Sequence, residues 1–548
     1  MSAVALVVDV GTSYRAWGDQ ALIELQTRDV GQHPVLVGLY SRDGWNHPGP
    51  ALFYLLALPY QLSGSNSIGL HLGALVINGA AITGMAVIAR RRGGTPLLLV
   101  TLLASAVLVR TLGPDFLHDP WVPSVTVLPF GLLVLLAWEA TAGKAWALPV
   151  GAGVASFCVQ THAGFALPAV PLLLGSAAWL VVGAWRSRRP APRDLRRAGI
   201  VAIVVLAVMW LPPLVDQVTG SPGNLTEVAE YFNDPDPEQR RHGFGDGLRV
   251  VADQFTLSPE WLTGADRANP FTGEPGAIRS TPVPVLLVPF ALAIAVAVRR
   301  RWPDAALLAG TVTVALGLGV LSITRVIGNL FVYRLRWTWV LAALAMVVVA
   351  WVVVRLVTGW RRRAWDRWAA PAVVVVLVSL TVASTVAAAR AGSPYPHESA
   401  ALPPVVDAVE EALPDRDGHV IVRSDTFSGN LYAVTLVLLL ERRGLPVRVE
   451  EEDEKALGRH RVHDEGPVRA TLVVYEGLDI LSVRAGDRLV AISGGVSDAE
   501  RARLARRKAS LDAAHAEGTV SDERYLVELD ELSARLASAV AVYRESPD

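Results

Sequence analysis

The chain has little of three things. One cysteine, Cys158, stands among 548 residues, which rules out an internal disulfide and a cysteine-based zinc site. Only 18% of the residues are charged, where soluble domains run nearer about a quarter. Charge of one sign is missing too: 50 basic against 51 acidic side chains leave a net charge of −1. Nucleic-acid binding through a basic excess is therefore excluded, and no nucleic-acid partner is expected. What is present is apolar: 52% hydrophobic residues and a mean hydropathy of +0.38. That excludes a disordered chain and points to an integral membrane protein. Sixteen tryptophans suit a chain with many interfacial anchor positions.

The apolar residues come in blocks long enough to cross a bilayer, which takes roughly 20 helical residues. Spans are read near 67–89, 95–112, 122–140, 145–161, 163–185, 199–215, 281–298, 303–323, 331–357 and 369–389. Segment 1–14 carries Asp9 and reaches only about 20 Å as a helix. It reads as the outer half of a helix whose start is missing, which makes about eleven spans in all. A charged leader region and a small-residue cleavage site are absent, so a cleavable signal is not expected.

Basic residues recur at every second loop: Arg90 to Arg92, Lys144, Arg186 to Arg197, Arg299 to Arg301 and Arg361 to Arg367. By the positive-inside rule these loops are cytoplasmic. Segments 15–66, 113–121, 216–280 and 391–548 are then expected outside. Residues 50–62 are too short to span and would invert the charge pattern if they did. They are read as an amphipathic helix on the outer membrane surface. Residues 1–390 thus form a membrane domain.

After Pro394, Pro396, Pro403 and Pro404 the composition changes. Val- and Ile-rich stretches at 419–423, 446–450, 469–475 and 486–492 read as strands. Residues 427–443 read as a helix between them, and 498–516 and 521–543 as two polar helices. A small extracytoplasmic α/β domain with a helical tail is expected over 391–548. It holds 19 basic and 29 acidic residues. The net −1 is therefore an acidic domain of −10 balanced against a body of +9.

Chemistry-bearing residues gather at the expected external ends. The first loop reads Trp17-Gly18-Asp19-Gln20, then Gly44-Trp45-Asn46-His47-Pro48-Gly49-Pro50. A carboxylate beside a membrane helix can act as a general base on an acceptor hydroxyl, or be a solvated loop acid. Glu24 lies on a different helix face from Asp19, and Arg28 at i+4 offers it a plain salt bridge. Asp119, in Asp115-Phe116-Leu117-His118-Asp119-Pro120, stands just before a proline, the place of a helix cap. With His118 it is a candidate ligand pair for a divalent metal such as Mg or Mn, and Asp19 and His47 can add to the set. Gln160 and His162, where two spans meet, can hydrogen-bond a sugar or simply pack. Tyr333, Arg334 and Arg336 enter a span from outside. The two guanidiniums can fork onto a phosphate, or snorkel beside Trp337 and Trp339. The long loop 216–280 is a candidate lid for acceptor recognition. Ser424 to Asn430 follows a strand and opens a helix, a placement that binds anions or merely caps.

A first-loop acid soon after the first helix, then a His-Pro-x-Pro-like turn into an amphipathic helix, resembles the GT-C superfamily of glycosyltransferases. The nearest branch is similar to the protein O-mannosyltransferase and aminoarabinose-transferase type. The resemblance implies a polyprenyl-phosphate sugar donor, an extracytoplasmic glycan, lipid or protein acceptor, and a site on the outer membrane face. It implies that Asp19 is the catalytic base, that His47 helps form the site, and that Asp119 in the second external loop is a second catalytic carboxylate, contacting a metal or the donor phosphate. Two features depart from the family pattern: Gly49 separates the two prolines, and Gly18-Asp19 has one acid where a pair is common. A lipid-linked-sugar flippase is the competing class; it expects ionisable residues in mid-membrane, whereas these spans are nearly free of charge. A non-catalytic scaffold for cell-envelope assembly is the third.

Overall fold

The computed structural model describes residues 14–187, 192–234, 239–264, 283–364, 369–390, 396–413, 417–424, 427–464, 466–482 and 486–546. The expected half-helix at 1–14 and part of the loop 216–280 lie outside the described residues. Two compact units emerge. Val35–Ala391 belongs to the first, and Val10–Pro34 joins Gly392–Asp548 in the second.

The first unit is helical. Among the described residues seven helices are long and apolar enough to cross a bilayer: Ile68–Leu112, Val122–Thr141, Ala163–Arg186, Pro192–Thr219, Pro303–Ile323, Val332–Thr358 and Ala370–Ala388. Ile68–Leu112 is two runs broken at Gly94, whose φ of +67° only glycine adopts readily; the break falls between the expected spans 67–89 and 95–112. Ala147–Thr161 and Leu287–Arg299 are shorter apolar helices at two more expected spans. The helices vary in cover: the Val122–Thr141 window is 94% buried, whereas that of Ala370–Ala388 has no buried residue. Valine surface of that kind suits lipid rather than water. The chain is a multi-pass membrane protein.

Ala51–Leu62 is a helix as expected, but it is not amphipathic. One side buries Leu52, Phe53, Leu56 and Tyr60, and the other exposes Leu55, Leu58 and Leu62. Both sides are apolar, because the sequence ALFYLLALPYQL has no charge to present to water. One charged network sits among these helices: Arg92 donates to both oxygens of Glu139, at 3.0 and 2.7 Å, and to Asp304 at 3.1 Å.

In the second unit five strands form one sheet in the order β2-β1-β3-β5-β4: β1 (His419–Arg423), β2 (Val447–Arg448), β3 (Val468–Glu476), β4 (Arg488–Ser493) and β5 (Val540–Arg544). β1 runs parallel to β2 and β3, and β5 antiparallel to β3 and β4. Helix Phe427–Arg442 packs on β3 and β1 and against helix Asp19–Asp29. Its Leu436, Leu438 and Leu440 are fully buried, each worth roughly 1.5–3 kcal/mol. Helices Asp498–Ala516 and Asp522–Leu536 start at Ser497 and Ser521, whose side chains accept from Glu500 N and Arg524 N.

Two expectations are corrected here. The last helix does not reach 543: it ends at Leu536 and the chain becomes β5. Val540 to Tyr543 are all buried, which suits a central strand covered on both faces, and β3 and β4 reach each other only through it. Glu24 and Arg28 do not pair with each other either. Glu24, with no exposed surface, is held by Arg442, and Arg28 pairs with Glu441 at 3.3 Å. Helix Asp19–Asp29 thus sends its charges to the C-terminal fold, which is why Val10–Pro34 belongs there and not to the membrane body.

Candidate functional site

Residues 38–47 form a small hairpin. Gly38 N donates to His47 O at 2.8 Å, His47 N to Leu39 O at 2.9 Å, and Ser41 N to Trp45 O at 2.9 Å. Gly44 turns the tip with φ +87°, and Asp43 stands on that tip. The turn after it is locked by Gln160. Gly49 N donates to Gln160 O at 3.2 Å, and Gln160 Nε2 donates to Met209 O at 2.7 Å. A Cβ on Gly49 would lie 2.5 Å from Gln160 Oε1. The glycine between the two prolines is therefore a packing requirement. Asn224 clasps the hairpin from the far side: its Oδ1 accepts from Asn46 N at 3.0 Å and its Nδ2 donates to Asn46 O at 2.9 Å.

On this base His47, His162 and Arg334 converge. The two imidazole rings are 4.8 Å apart, and His47 Nδ1 accepts from Ala163 N at 3.3 Å. Burial holds the His47 imidazole well below the ordinary histidine range, with His162 and Arg334 adding to the effect; it is neutral at pH 7. Arg334, in the first turn of helix Val332–Ala364, donates to Asp43 Oδ2 at 3.2 Å, Ile327 O at 3.1 Å and Tyr333 OH at 3.3 Å. A guanidinium has five N–H groups, so these bonds leave one on each terminal nitrogen. The Arg334 Cζ lies 5.9 Å from the centre of the Tyr333 ring, which in turn meets Trp121 at 4.9 Å. Tyr231 approaches Asp43; burial and then that carboxylate push its phenol up to about 12. The loop that leads into the Arg334 helix is itself pinned by His242, whose Nε2 donates to Gly328 O at 2.8 Å.

The remaining sequence candidates fall as follows. Asp119 Oδ1 accepts from Trp121 N at 3.0 Å, a local turn; the Val122–Val125 helix starts after Trp121 without a side-chain cap, so Asp119 does not cap it. His118 is buried, its Nε2 3.8 Å from Asp115 Oδ1, and burial lowers it to about 4. Burial, then the Asp119 charge, raises Asp115 to about 6. Among the described residues, His118 and Asp119 belong to no group of three His or carboxylate ligands; the two such groups are Asp29–His33–His460 and His419–His463–Asp464. Arg336 does not join Arg334. Two residues on in the same helix, it projects about 200° away. Asp19 is the first residue of helix Asp19–Asp29, after Gly18 with φ +57°, and lies in the second unit. Ser424 Oγ donates to Val474 O at 2.9 Å, tying β1 to β3; Asp425 and Thr426 lie outside the described residues.

The sequence reading missed Asp43 and Asn224. Asp43-Gly44 is a tight-turn dipeptide, which was the available signal for Asp43. For Asn224 there was none.

No protein-family model and no curated protein matches this sequence. Among solved structures, ArnT from Cupriavidus metallidurans in the apo state aligns with a TM-score of 0.52 at 14% identity, over 90% of this chain and 94% of that one. ArnT from the same organism bound to undecaprenyl phosphate aligns at 0.49 and 15%, over 90% and 95%. The Archaeoglobus fulgidus oligosaccharyltransferase in complex with Zn and sulfate aligns at 0.43 and 11%, over 87% and 68%. At such identity the likeness is one of fold: this chain has the polytopic helical fold of ArnT.

Proposed function

We propose that the protein is a membrane glycosyltransferase that moves a sugar from a polyprenyl-phosphate carrier to an extracytoplasmic acceptor hydroxyl, with inversion. The observation that carries this is Arg334: a guanidinium held by Asp43, Ile327 O and Tyr333, with an N–H left on each terminal nitrogen, beside the neutral His47. Paired N–H groups suit two phosphate oxygens. As the acceptor oxygen bonds to the anomeric carbon, the sugar–phosphate bond breaks and charge builds on the departing phosphate. A fixed cation there lowers the barrier. The rings of Trp45, Tyr231, Trp121 and Tyr333 flank the polar groups, as sugar faces require, and His162 supplies a further hydrogen-bonding edge. Gln160 supports the turn that carries His47. The resemblance assigns the acceptor's proton to Asp19, and Asp19→Asn tests that assignment by itself. Among the described residues Asp119 and His118 belong to no group of three His or carboxylate ligands, and none of these steps is routed through a metal. The basic loops support an extracytoplasmic site.

Membranes carrying the protein are supplied with labelled polyprenyl-phosphate hexoses and pentoses. Arg334→Gln is expected to cut transfer by about 10²–10³-fold, the range for loss of one charge-stabilising donor, and Arg336→Gln to change it little. Equal transfer by wild type and Arg334→Gln would remove Arg334 from the mechanism and leave the reading without its support.

A further inference from the structure

Four of the eleven histidines lie in two clusters of the second unit, Asp29–His33–His460 and His419–His463–Asp464. In each, the three ligand atoms lie within 4.8 Å of one another. They differ in what already neutralises the carboxylate. Asp29 receives two Arg461 nitrogens at 2.7 and 2.9 Å, and the His33 and His460 rings stack 3.8 Å apart at 11°. Stacked rings aim their lone pairs side by side, and Arg461 repels a cation. That cluster is an ion-pair network.

The other cluster is different. Among the described residues Asp464 has no Lys or Arg partner; its Oδ1 accepts from Gly466 N at 3.2 Å. His419 Nε2 and His463 Nδ1 face each other at 2.6 Å, with the ring planes 53° apart. Both backbones are held by hydrogen bonds: His419 N, at the start of β1, donates to Pro467 O at 3.0 Å, and His463 N to Val449 O at 2.9 Å. Tetrahedral bonds of about 2.0–2.1 Å place ligand atoms about 3.4 Å apart. The ligand atoms here lie from 2.6 Å to within 4.8 Å of one another, a range that brackets that spacing.

We propose that His419, His463 and Asp464 bind a divalent transition metal of the zinc class. Two imidazoles and one carboxylate suit zinc, with water as the fourth ligand. The ion clamps the start of β1 to the 462–464 segment and stabilises the folded unit, since the ligands converge only there.

The test uses the full chain in detergent, stripped with chelator, then titrated with Zn²⁺ against a chromogenic competitor and with Co²⁺ read by visible absorption. Wild type is expected to take one Zn²⁺ that millimolar Mg²⁺ does not displace, with the visible Co²⁺ bands of a four-coordinate site. His463→Ala and Asp464→Asn each weaken binding by more than about tenfold, the least that losing even an outer-shell partner costs. His33→Ala leaves it unchanged. Asp464 is exposed, so Asp464→Asn reads the site without disturbing the fold. Absence of Zn²⁺ binding by wild type, wild-type affinity in both site variants, or loss of binding in His33→Ala overturns the proposal.

Discussion

Replacing Arg461 by methionine tests whether the stretch before Pro34 is an integral part of the C-terminal unit. Arg461 spends all five of its N–H groups: two on Asp29 at 2.7 and 2.9 Å, two on Glu441 at 2.6 and 3.2 Å, and one on Leu457 O at 2.7 Å. The Arg461 and Asp29 side chains are only 4% and 6% exposed. Removing one member of a buried pair costs about 3–5 kcal/mol, because the other charge stays buried. His460 remains 3.5 Å from Asp29 and Arg28 3.3 Å from Glu441, so the low end, about 3 kcal/mol, applies. That lowers the melting point of a unit of this size by roughly 6–12 °C. Proteolysis in a urea series, followed by cleavage within the second unit in detergent, reads it. Asp29→Asn in the Arg461→Met background should cost less than the sum of the two singles, since the stranded charge is gone.

pH supplies a second reading of the same pair. Burial pushes the Asp29 carboxyl up, but hydrogen bonds from His460 and Arg461 outweigh it and leave it below the ordinary 3.8. The stabilisation is thus present above about pH 4 and fades as pH falls through the lowered value. The gap between wild type and Arg461→Met should close in that window. A loss under about 1 kcal/mol, the level of an exposed pair, or strict additivity of the two substitutions, would refute the reasoning.

Asp115 behaves in the opposite sense. Its carboxyl is raised to about 6 by burial and by Asp119, so its charged form is disfavoured in the fold. Asp115→Asn should melt higher than wild type at pH 7–8 and equally below about pH 4; thermal scans across pH check this, and a lower melting point at pH 8 would contradict it. Gly49→Ala puts a Cβ 2.5 Å from Gln160 Oε1, forcing Gln160 away from Met209 O at a cost of about 1–3 kcal/mol. Transfer should fall with stability, and Gln160→Ala in the same chain should restore part of both; a silent Gly49→Ala would show that the turn is not held this way.

Much of the fold was legible because its signals are local. Ten apolar blocks read from the sequence coincide with helices of the membrane unit, since a bilayer demands long uninterrupted apolar runs whatever packs beside them. Four strands and the helix between them were readable from Val and Ile content. β5 was not: Val540-Ala541-Val542-Tyr543 follows directly on a helical pattern, and only β3 and β4 on either side make it a strand. In the site, His47, His162 and Arg334 were visible as polar residues at helix ends, and the structure brings them together. Asp43, 291 residues from its partner Arg334, was hidden, as was the use of Gln160 as a support for Gly49.

The sequence by itself determined the membrane class, the block boundaries and the split of a net charge of −1 into a body of +9 and a domain of −10. Those follow from composition along the chain, which every window carries without knowledge of the rest. The tertiary structure alone decided which charges meet. It sent Glu24 and Asp29 to Arg442 and Arg461, Asp43 to Arg334, and Val10–Pro34 to the C-terminal unit. A buried charge needs a partner in space, and nothing in its neighbours along the chain says where that partner lies.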